Sequence, residues 1–537
     1  MPAKAVVIGL DGVAWHLLEP LFEQGAMPRL AALREQGASG VLGSTVPTYT
    51  PPAWTSAATG VNPGRHGIYG FHASNAQHER MELMHSGKVK SPTIWDMANE
   101  QGASAGIYNL PLTYPPQPLK SGWMVSGMMT PSYGHHLKGV TYPAELEADV
   151  LRWAPGYEVE IKTSWEDDYK DDTLCKRALA SLEQRRAVLD GLLSEHPVDV
   201  LFTVLETPDR LQHAYYGYMD PRDPLYDTDL GRRLRPSIAE CFTRMDDIVG
   251  LLEDYADGAG VIVCSDHGFT SWEMTVHTNA LLEQWGLLKL KGSAKLMQTG
   301  AARALVPLAK KVLPAKVARE AKGKTFNAVD WGNTKAFASP IPQQGIFINL
   351  KGREPHGVVP ESELGSLKRD IADRFKSLRG PDGRSVTDRV HLSEEVFHGE
   401  ALRGAPDVLP VLRDHRFELD DEIFHKEPFT DVTPLPRGVH HPDGVVVYAG
   451  AGTKAGAAVT GSVMDVTPTL LYMAGLAVPE GLDGAVPQDA FTPEHLKERP
   501  IASTTPASSG HAKEEASPYS AEEEAQIEES LRGLGYL

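Results

Sequence analysis

The stretch VIVCSDHGF (residues 261–269) is a short run of apolar residues that ends in an acid, an imidazole and a glycine. Near the start of the chain VVIGLDG (residues 6–12) has a similar arrangement, with Asp11 and Gly12 after the apolar run. A short continuous apolar run is typical of a strand that is buried on both faces, as in a parallel sheet. Glycine lets the chain turn sharply, so each acid is expected at the carboxyl end of its strand.

Similar β-branched runs recur along the chain, and amphipathic helical stretches lie between several of them. We expect strands near residues 6–9, 106–109, 124–127, 198–205, 260–264, 407–412 and 444–448. The clearest helices are predicted over residues 172–195 and 236–255, where apolar residues recur every three or four positions. This alternation predicts an α/β fold with a central, mostly parallel sheet that has helices on both faces.

The composition excludes some classes of protein. The chain has 537 residues, with 52 Lys and Arg against 71 Asp and Glu, and a net charge of -19. This balance argues against a surface that binds nucleic acid polymers through their phosphates. At about 150 residues per domain, the length predicts two to four units, or one large decorated α/β domain.

The cysteines and the apolar segments point to a cytoplasmic protein. Cys175, Cys241 and Cys264 lie far apart without metal-type spacing, so neither a disulfide framework nor a zinc–thiolate site is expected. The apolar run near the N-terminus is too short for a signal-peptide core. No window approaches the roughly 18 continuous apolar residues of a membrane span.

The polar residues at the strand ends suggest a metal site. Asp209 and His213 are four positions apart, so on a helix they share one face. His440 precedes another strand, with His441 as a competing candidate. Acids and imidazoles at the carboxyl ends of strands can converge on one site, and here they suggest two divalent metals about 4 Å apart. Taken singly, each could instead be a turn, capping or surface residue.

Thr50 precedes Pro51 and Pro52 and a helical stretch, so it is expected to be the N-cap of a helix. Its hydroxyl would face the positive end of the helix dipole, which attracts phosphate. Metal coordination can deprotonate such a hydroxyl and make it a nucleophile. An N-cap without chemistry is the alternative.

Five stretches within residues 5–450 resemble motifs of the alkaline phosphatase superfamily, and most closely those of its type I phosphodiesterase/nucleotide pyrophosphatase branch. They occur in the same order as in that family. They are VVIGLDG, TVPTYTPPAWTSAATGVNPGRHGIYGF, LETPDRLQHAYY, VIVCSDHGF and HHPDGVVV. The resemblance implies an alkaline-phosphatase-like sheet and a two-metal hydrolase whose threonine forms a covalent intermediate with the phosphoryl group of a small-molecule phosphate ester.

The resemblance also implies which residues form the site. One metal would be bound by Asp11, Thr50, Asp266 and His267, with Thr50 as the nucleophile. The other, which activates water, would be bound by Asp209, His213 and His440. His440 is preferred over His441 because the ligand histidine of the family lies three residues before the Asp of its PDG-like segment, here Asp443. Zinc is usual in such relatives and manganese occurs in the mutase branches; carboxylates and imidazoles suit either ion.

The chain departs from the best-known nucleotide pyrophosphatases after Thr50, where it reads Pro51-Pro52-Ala53-Trp54, and Phe71 stands where they have a phosphate-binding Asn. The sequence therefore does not determine whether the substrate is a nucleotide. The chain is more similar to bacterial proteins described as predicted phosphohydrolases or phosphomutases. Its segment NLPLTYPP (residues 109–116) also resembles a segment of those proteins. This makes Asn109 a candidate substrate contact, with a turn residue as the alternative. The C/S-x-P-x-R motif that sulfatases need is not present at Thr50.

The function expected from these observations is hydrolysis of phosphodiesters or nucleotide pyrophosphates. A phosphomutase or phosphomonoesterase could use the same site. The alternative outside the enzymes is a binding protein that metal ions stabilise and that has no catalytic turnover.

The long intervals between the candidate site residues predict the domain organisation. A phosphohydrolase core is expected over residues 1–270 and 430–500, with a possible insertion at 113–170 and a subdomain or lid at 271–430. Within the latter, the basic and apolar segment 296–324 is predicted to be helical, as part of a lid or scaffold or as a surface helix that packs on a partner or lipid.

The last part of the chain is predicted to consist of a flexible linker at residues 501–524, rich in Ser, Ala, Glu and Pro, and a C-terminal helix at 525–537. The sequence does not indicate the role of this tail or the oligomeric state.

Overall fold

A computed structural model describes most of the chain. The described residues are 5–74, 81–131, 137, 139–164, 166–292, 328–338, 345–506 and 516–535. The segment 296–324, predicted to be helical, lies outside them. The chain divides into two compact units. The first comprises Met1–Ile68, Met84–Ser271 and Pro434–Leu537, and the second comprises Tyr69–Leu83 and Trp272–Thr433.

These boundaries differ in one place from those expected from the sequence: Tyr69–Leu83 belongs to the second unit, although the sequence placed it in the core. Residues 113–170, expected as a possible insertion within the core, belong to the first unit, and that they form an insertion stays a prediction.

The described strands are short and numerous. In chain order they are β1 (Ala5–Leu10), β2 (Ala38–Gly43), β3 (His72–Ser74), β4 (Met81–Leu83), β5 (Ala105–Tyr108), β6 (Gly122–Val125), β7 (Thr141–Tyr142), β8 (Val200–Leu205), β9 (Gly260–Cys264), β10 (Gly268–Ser271), β11 (Met274–His277), β12 (Ala336–Ala338), β13 (Ile346–Ile348), β14 (Thr387–Leu392), β15 (Val408–Leu412), β16 (Phe417–Asp420), β17 (Phe429–Asp431), β18 (Gly438–His441), β19 (Asp443–Ala449), β20 (Ala458–Ser462), β21 (Val478–Pro479) and β22 (Ser503–Thr504).

The described α-helices lie between them. They are α1 (Trp15–Glu23), α2 (Pro28–Gln36), α3 (Thr50–Thr59), α4 (Pro63–His66), α5 (Ile94–Glu100), α6 (Leu146–Trp153), α7 (Thr173–Glu195), α8 (Thr207–Met219), α9 (Asp229–Ala256), α10 (Thr278–Gln284), α11 (Glu361–Ser377), α12 (Ser393–Val396), α13 (Val466–Met473), α14 (Pro493–Glu498) and α15 (Ala521–Gly533). None of the described helices is long and apolar enough to cross a membrane.

The first unit is built around a nine-stranded sheet with the order β20-β2-β19-β9-β1-β8-β5-β6-β7. The five strands from β9 to β6 in this order are all parallel, whereas β19 runs antiparallel to both β9 and β2. The predicted α/β fold with a mostly parallel central sheet is therefore confirmed.

Strand β1 shows why the apolar runs are continuous. Val6, Ile8 and Leu10 face one hydrophobic core, to which α7, α8 and α9 contribute. Ala5 and Val7 face a second core, with residues of α3, α5 and α13. Because helices cover both faces of the sheet, every position of the strand is apolar.

Two predicted elements differ from the structure. Helix α9 begins at Asp229 rather than at Pro236, which lies inside it, because the Thr228 side chain accepts a hydrogen bond from the Gly231 N–H and caps the helix upstream. The strand predicted at 407–412 forms β15 of the second unit, in an antiparallel sheet of order β12-β13-β15-β14. Apolar runs do not reveal to which sheet a strand belongs.

The C-terminal region has more structure than the sequence suggested. Strand β22, inside the predicted linker, pairs with β21. Helix α15 begins at Ala521, and Ser520 and Glu523 form a capping box at its start. The buried Tyr519 donates a hydrogen bond to the carbonyl of Met129 at 2.9 Å. Residues 507–515 of the predicted linker lie outside the described residues.

Candidate active site

The candidate active site lies at the carboxyl ends of three neighbouring strands. Strand β1 pairs with both β8 and β9. Asp11 therefore follows the middle strand, with Asp266 and His267 after β9 on one side and helix α8 after β8 on the other. Gly12 has a φ of 75°, and a Cβ there would lie 2.5 Å from the Phe269 ring. This close approach explains the glycine of VVIGLDG.

Thr50 and His440 reach the site from other elements. Thr50 is the first residue of α3, and Tyr49 is the N-cap, so the helix begins one position earlier than the sequence indicated. His440 lies on β18, which pairs antiparallel with β10, rather than in a loop. Successive residues of a strand face opposite sides. The His440 side chain is 2% exposed at the site, whereas the His441 side chain is 21% exposed and lies near Asp443.

The predicted side chains form two groups that meet at His267. Its Nε2 atom lies 3.5 Å from Asp11 Oδ1, 3.3 Å from Asp266 Oδ2 and 3.3 Å from Thr50 Oγ1. In the other group, Asp209 Oδ1 lies 3.3 Å from His213 Nε2 and 3.4 Å from His440 Nε2.

The rings of His267 and His440 stack with their centroids 3.7 Å apart, which joins the groups. The structure thus brings together all seven side chains that the sequence placed at the metal site. Two overlapping sets could each hold a metal ion, Asp11–Asp266–His267 and Asp209–His267–His440.

The three imidazoles have the same orientation. Each Nδ1 lies against a backbone carbonyl, that of Gly268 for His267, Gly438 for His213 and Thr48 for His440. These contacts assign the proton to Nδ1, which leaves the lone pair of Nε2 directed into the cluster. The Nε2 atoms of His213 and His440 are 3.1 Å apart. Two lone pairs at this distance repel, and a shared cation would convert the repulsion into coordination.

The carboxylates also match the requirements of metal ligands. Asp11 Oδ1, Asp209 Oδ1 and Asp266 Oδ2 are buried and have no hydrogen-bond partner among the described residues. Burial and neighbouring acids raise the pKa of Asp11 and of Asp266. Burial also acts to raise the pKa of Asp209, but that pKa is held well below the usual range, and the charge of the paired Arg210 guanidinium acts in this direction. Divalent cations would keep all three acids ionised, so this donor set fits them.

Two side chains at the site were not identified from the sequence. Arg210 is buried and forms an ion pair with Asp209, and the Trp54 indole N–H donates to Asp11 Oδ2 at 3.0 Å. Trp54 follows Thr50 by four positions on α3, and this spacing could have revealed it. A cation next to a metal ligand is unfavourable by itself, so the sequence PDRLQH did not indicate that Arg210 belongs to the site.

Asn109, the candidate substrate contact, has a place in a different network. It follows β5 with a φ of 57°, and its side-chain N–H groups donate to the Val204 carbonyl at 3.0 Å and to Glu206 Oε2 at 2.7 Å. Glu206 in turn forms a buried ion pair with Arg185. Among the described residues, no hydrogen bond joins Asn109 to the seven side chains of the cluster. These contacts are those of a turn residue that stabilises the fold.

Replacing Asn109 with alanine should lower the free energy of unfolding by about 1–3 kcal/mol, because it removes two buried hydrogen bonds, one to the Val204 carbonyl and one to Glu206, which among the described residues keeps only Arg185 as a donor. KM for a phosphate ester should not change. Denaturant unfolding and steady-state kinetics measure the two quantities. Glu206→Gln, which weakens the same network, is the comparison variant. A raised KM at unchanged stability in Asn109→Ala would instead make Asn109 a substrate contact.

The fold and the site define a phosphoester hydrolase of the alkaline phosphatase superfamily. The chain matches the sequence profile of the family "Type I phosphodiesterase / nucleotide pyrophosphatase" over residues 5–415. The protein therefore belongs to this family, as its motifs predicted. A comparison with curated protein sequences finds no match.

Solved structures share the fold at low sequence identity. Phosphonoacetate hydrolase from Sinorhizobium meliloti 1021, in complex with phosphonoformate, is 18% identical with a TM-score of 0.53; the match covers 88% of this chain and 96% of that one. An inactive threonine-to-alanine variant of murine ectonucleotide pyrophosphatase / phosphodiesterase 5, in complex with AMP, is 14% identical with a TM-score of 0.51. That match covers 91% of this chain and 100% of the murine one.

Proposed function

We propose that this protein hydrolyses phosphodiesters or nucleotide pyrophosphates with Thr50 as a covalent nucleophile and two divalent metal ions as cofactors. The observation that supports this most directly is the position of Thr50. Its hydroxyl lies at the start of α3 and 3.3 Å from His267 Nε2, and that same nitrogen lies within 3.5 Å of the buried carboxylates of Asp11 and Asp266. A helix N-terminus attracts a phosphate group, so the phosphorus atom would be held next to the hydroxyl.

The residues that would hold the ions follow from the two groups. Asp11, Asp266 and His267, with Thr50, would bind one ion; Asp209, His213 and His440 would bind the other. When bound, the ions would supply Lewis acidity that lowers the pKa of a hydroxyl or water and neutralises the phosphate oxygens. Zinc is the ion we propose first, with manganese as the alternative, because the ligands are imidazoles and carboxylates.

The proposed reaction consists of two successive displacements at the phosphorus atom. In the first, Thr50 Oγ1 forms a bond to phosphorus while the bond to the leaving alcohol or nucleotide breaks. In the second, water forms a bond to phosphorus from the His440 side, and the bond to Thr50 breaks and restores the hydroxyl. Asp209, held in its ionised form by its ion pair with Arg210, keeps that side of the site negative enough to bind a cation.

The ligands of two structural relatives support the substrate class. The phosphonoacetate hydrolase is in complex with phosphonoformate and the murine relative with AMP, so similar folds accept small phosphorus oxyanions. The inactive relative has a threonine replaced by alanine, which agrees with a nucleophilic role for Thr50. The cytoplasmic location remains a prediction from the sequence.

Turnover of bis-p-nitrophenyl phosphate and p-nitrophenyl phosphate, with zinc and with manganese, tests the proposed substrate class. We expect faster cleavage of the diester. Faster cleavage of the monoester would indicate a phosphatase. If metal-loaded protein cleaved neither compound, the phosphomutase or the non-catalytic alternative would be favoured.

A further inference from the structure

The C-terminal segment, residues 516–535, is packed on the rest of the first unit. Its apolar side chains Ile527, Leu531 and Leu534 are buried. Tyr519, just before α15, is buried as well, and burial raises the pKa of its phenol. The phenol therefore keeps its proton and acts as a hydrogen-bond donor inside the protein.

The segment holds both backbone polar groups of Met129. The Tyr519 hydroxyl donates to the Met129 carbonyl at 2.9 Å. The Met129 N–H donates to Glu160 Oε1 at 3.0 Å, and Glu160 Oε2 accepts a hydrogen bond from Ser530 Oγ of α15 at 2.6 Å. One of these contacts is thus made by the segment directly, and the other is made by a side chain that the segment orients.

Met129 has a backbone conformation that needs such support. Its φ is 76°, and the residue is fully buried. Residues other than glycine rarely adopt this left-handed conformation, and they keep it only where the surrounding contacts hold them in it. The hydrogen bonds from Tyr519 and to Glu160 supply this support, so the segment fixes the turn at Met128 and Met129.

This turn contacts the candidate active site. Met128 Sδ accepts a hydrogen bond from Arg210 Nη2 at 3.4 Å, and Nη1 of the same guanidinium donates to Asp209 Oδ2. The other oxygen of this carboxylate, Oδ1, lies 3.3 Å from His213 Nε2 and 3.4 Å from His440 Nε2. Arg210 thus binds one oxygen of Asp209 and leaves the other directed at the imidazoles.

We propose that Tyr519 is a positioning residue for the ion that would lie at Asp209, here called the water-side ion. Its hydroxyl holds the turn at Met129, the turn places Arg210, and Arg210 orients the Asp209 carboxylate. Partners that orient a metal ligand in this way commonly contribute 10- to 100-fold to metal affinity. The inference rests on the proposed function, from which it takes the two ions, and it gives the C-terminal segment a role in the reaction.

The other proposed ion should not depend on Tyr519. Its ligands Asp11, Asp266 and His267 follow β1 and β9. Among the described residues, no hydrogen bond joins these three side chains to the turn at Met129. A selective effect on one of two ions therefore distinguishes positioning from a general loss of stability.

Titration of the apo protein with zinc tests the proposal without turnover. In Tyr519→Phe, which keeps the ring and removes the hydroxyl, affinity for the water-side ion should fall roughly 10-fold. Affinity for the other ion should change by less than about 3-fold. His440→Ala, which removes a ligand of the water-side ion, identifies the affected ion: adding Tyr519→Phe to it should leave the one remaining zinc bound as before.

The path through Met128 has a test of its own. Met128→Leu keeps the volume of the side chain and removes the sulfur acceptor. If Tyr519 acts through Met128, the double variant should weaken the water-side ion by less than the product of the two single effects. Independent effects, which multiply, would overturn this path.

Tyr255→Phe is the matched control. The Tyr255 hydroxyl accepts a hydrogen bond from the Val198 N–H at 2.9 Å, near the amino end of β8 and thus at the end of the strand opposite to the site. Both ions should bind to this variant as they do to the wild type. Equal weakening of the two ions in Tyr519→Phe, no weakening, or the same weakening in Tyr255→Phe would overturn the proposal.

The same titration separates this inference from the proposed function. If the wild type binds two zinc ions and Tyr519→Phe binds both unchanged, the positioning role is wrong and the two-metal site stands. A wild type that binds fewer than two zinc ions would contradict the two-metal site, and the inference with it.

Discussion

Replacing Thr50 with valine is expected to lower kcat/KM for bis-p-nitrophenyl phosphate by roughly 10⁴-fold or more, since removal of a nucleophile eliminates the covalent route. Valine keeps the shape of threonine and replaces only the hydroxyl. The fold should not change much, because among the described residues His267 is the one hydrogen-bond partner of Thr50 Oγ1. Steady-state kinetics and metal analysis on the purified variant measure the effect.

Thr50→Ser is the matched control for this prediction. It retains the hydroxyl and removes one methyl group, so we expect it to keep measurable turnover. Both variants should retain the same metal content as the wild type, because the carboxylates and imidazoles of the site remain. If Thr50→Val retained turnover within about 10-fold of wild type with its metal in place, a covalent threonine mechanism would be excluded.

Replacing His440 with alanine should remove one of two bound ions and lower kcat by several orders of magnitude. His440 Nε2 lies 3.4 Å from Asp209 Oδ1 and 3.1 Å from His213 Nε2, so its loss removes one of three proposed ligands on the side where water attacks. Metal analysis after dialysis should give one equivalent instead of two, and kinetics on the same sample give the loss of turnover.

His441→Ala is the neighbouring control. The His441 side chain is on the opposite face of β18, where its Nδ1 accepts a hydrogen bond from the Asp443 N–H at 3.2 Å. This variant should keep both ions and most of the activity. If His441→Ala lost an ion while His440→Ala did not, the assignment of ligands in the HHPDG segment would be shifted by one residue.

Most of the central sheet could be predicted because its strands are buried on both faces. Runs such as VVIGL and VIVCS are apolar at every position for that reason, and they read as strands of a parallel sheet. The same pattern could not assign residues 407–412 to the correct sheet, because a buried strand has the same run of apolar residues whichever unit it belongs to. The start of α9 was misplaced because proline is common in the first turn of a helix, whereas Pro236 lies inside this one.

The cluster itself could be predicted because metal ligands need particular side chains at the ends of neighbouring strands. Asp11, Asp266 and His267 follow β1 and β9, so their convergence follows from the sheet topology. Arg210 could not be identified in the same way, because a cation next to a metal ligand is unfavourable by itself, and its ion pair with Asp209 is visible only in the structure.

The stereochemical course of hydrolysis at phosphorus tests the covalent mechanism most directly, because it does not depend on how long an intermediate survives. A chiral phosphorothioate diester would be hydrolysed by the wild-type protein in water labelled with heavy oxygen, and the configuration of the product determined. Two successive displacements, the first by Thr50 and the second by water, predict retention of configuration. Inversion would mean that water attacks the substrate directly, and would contradict Thr50 as the nucleophile.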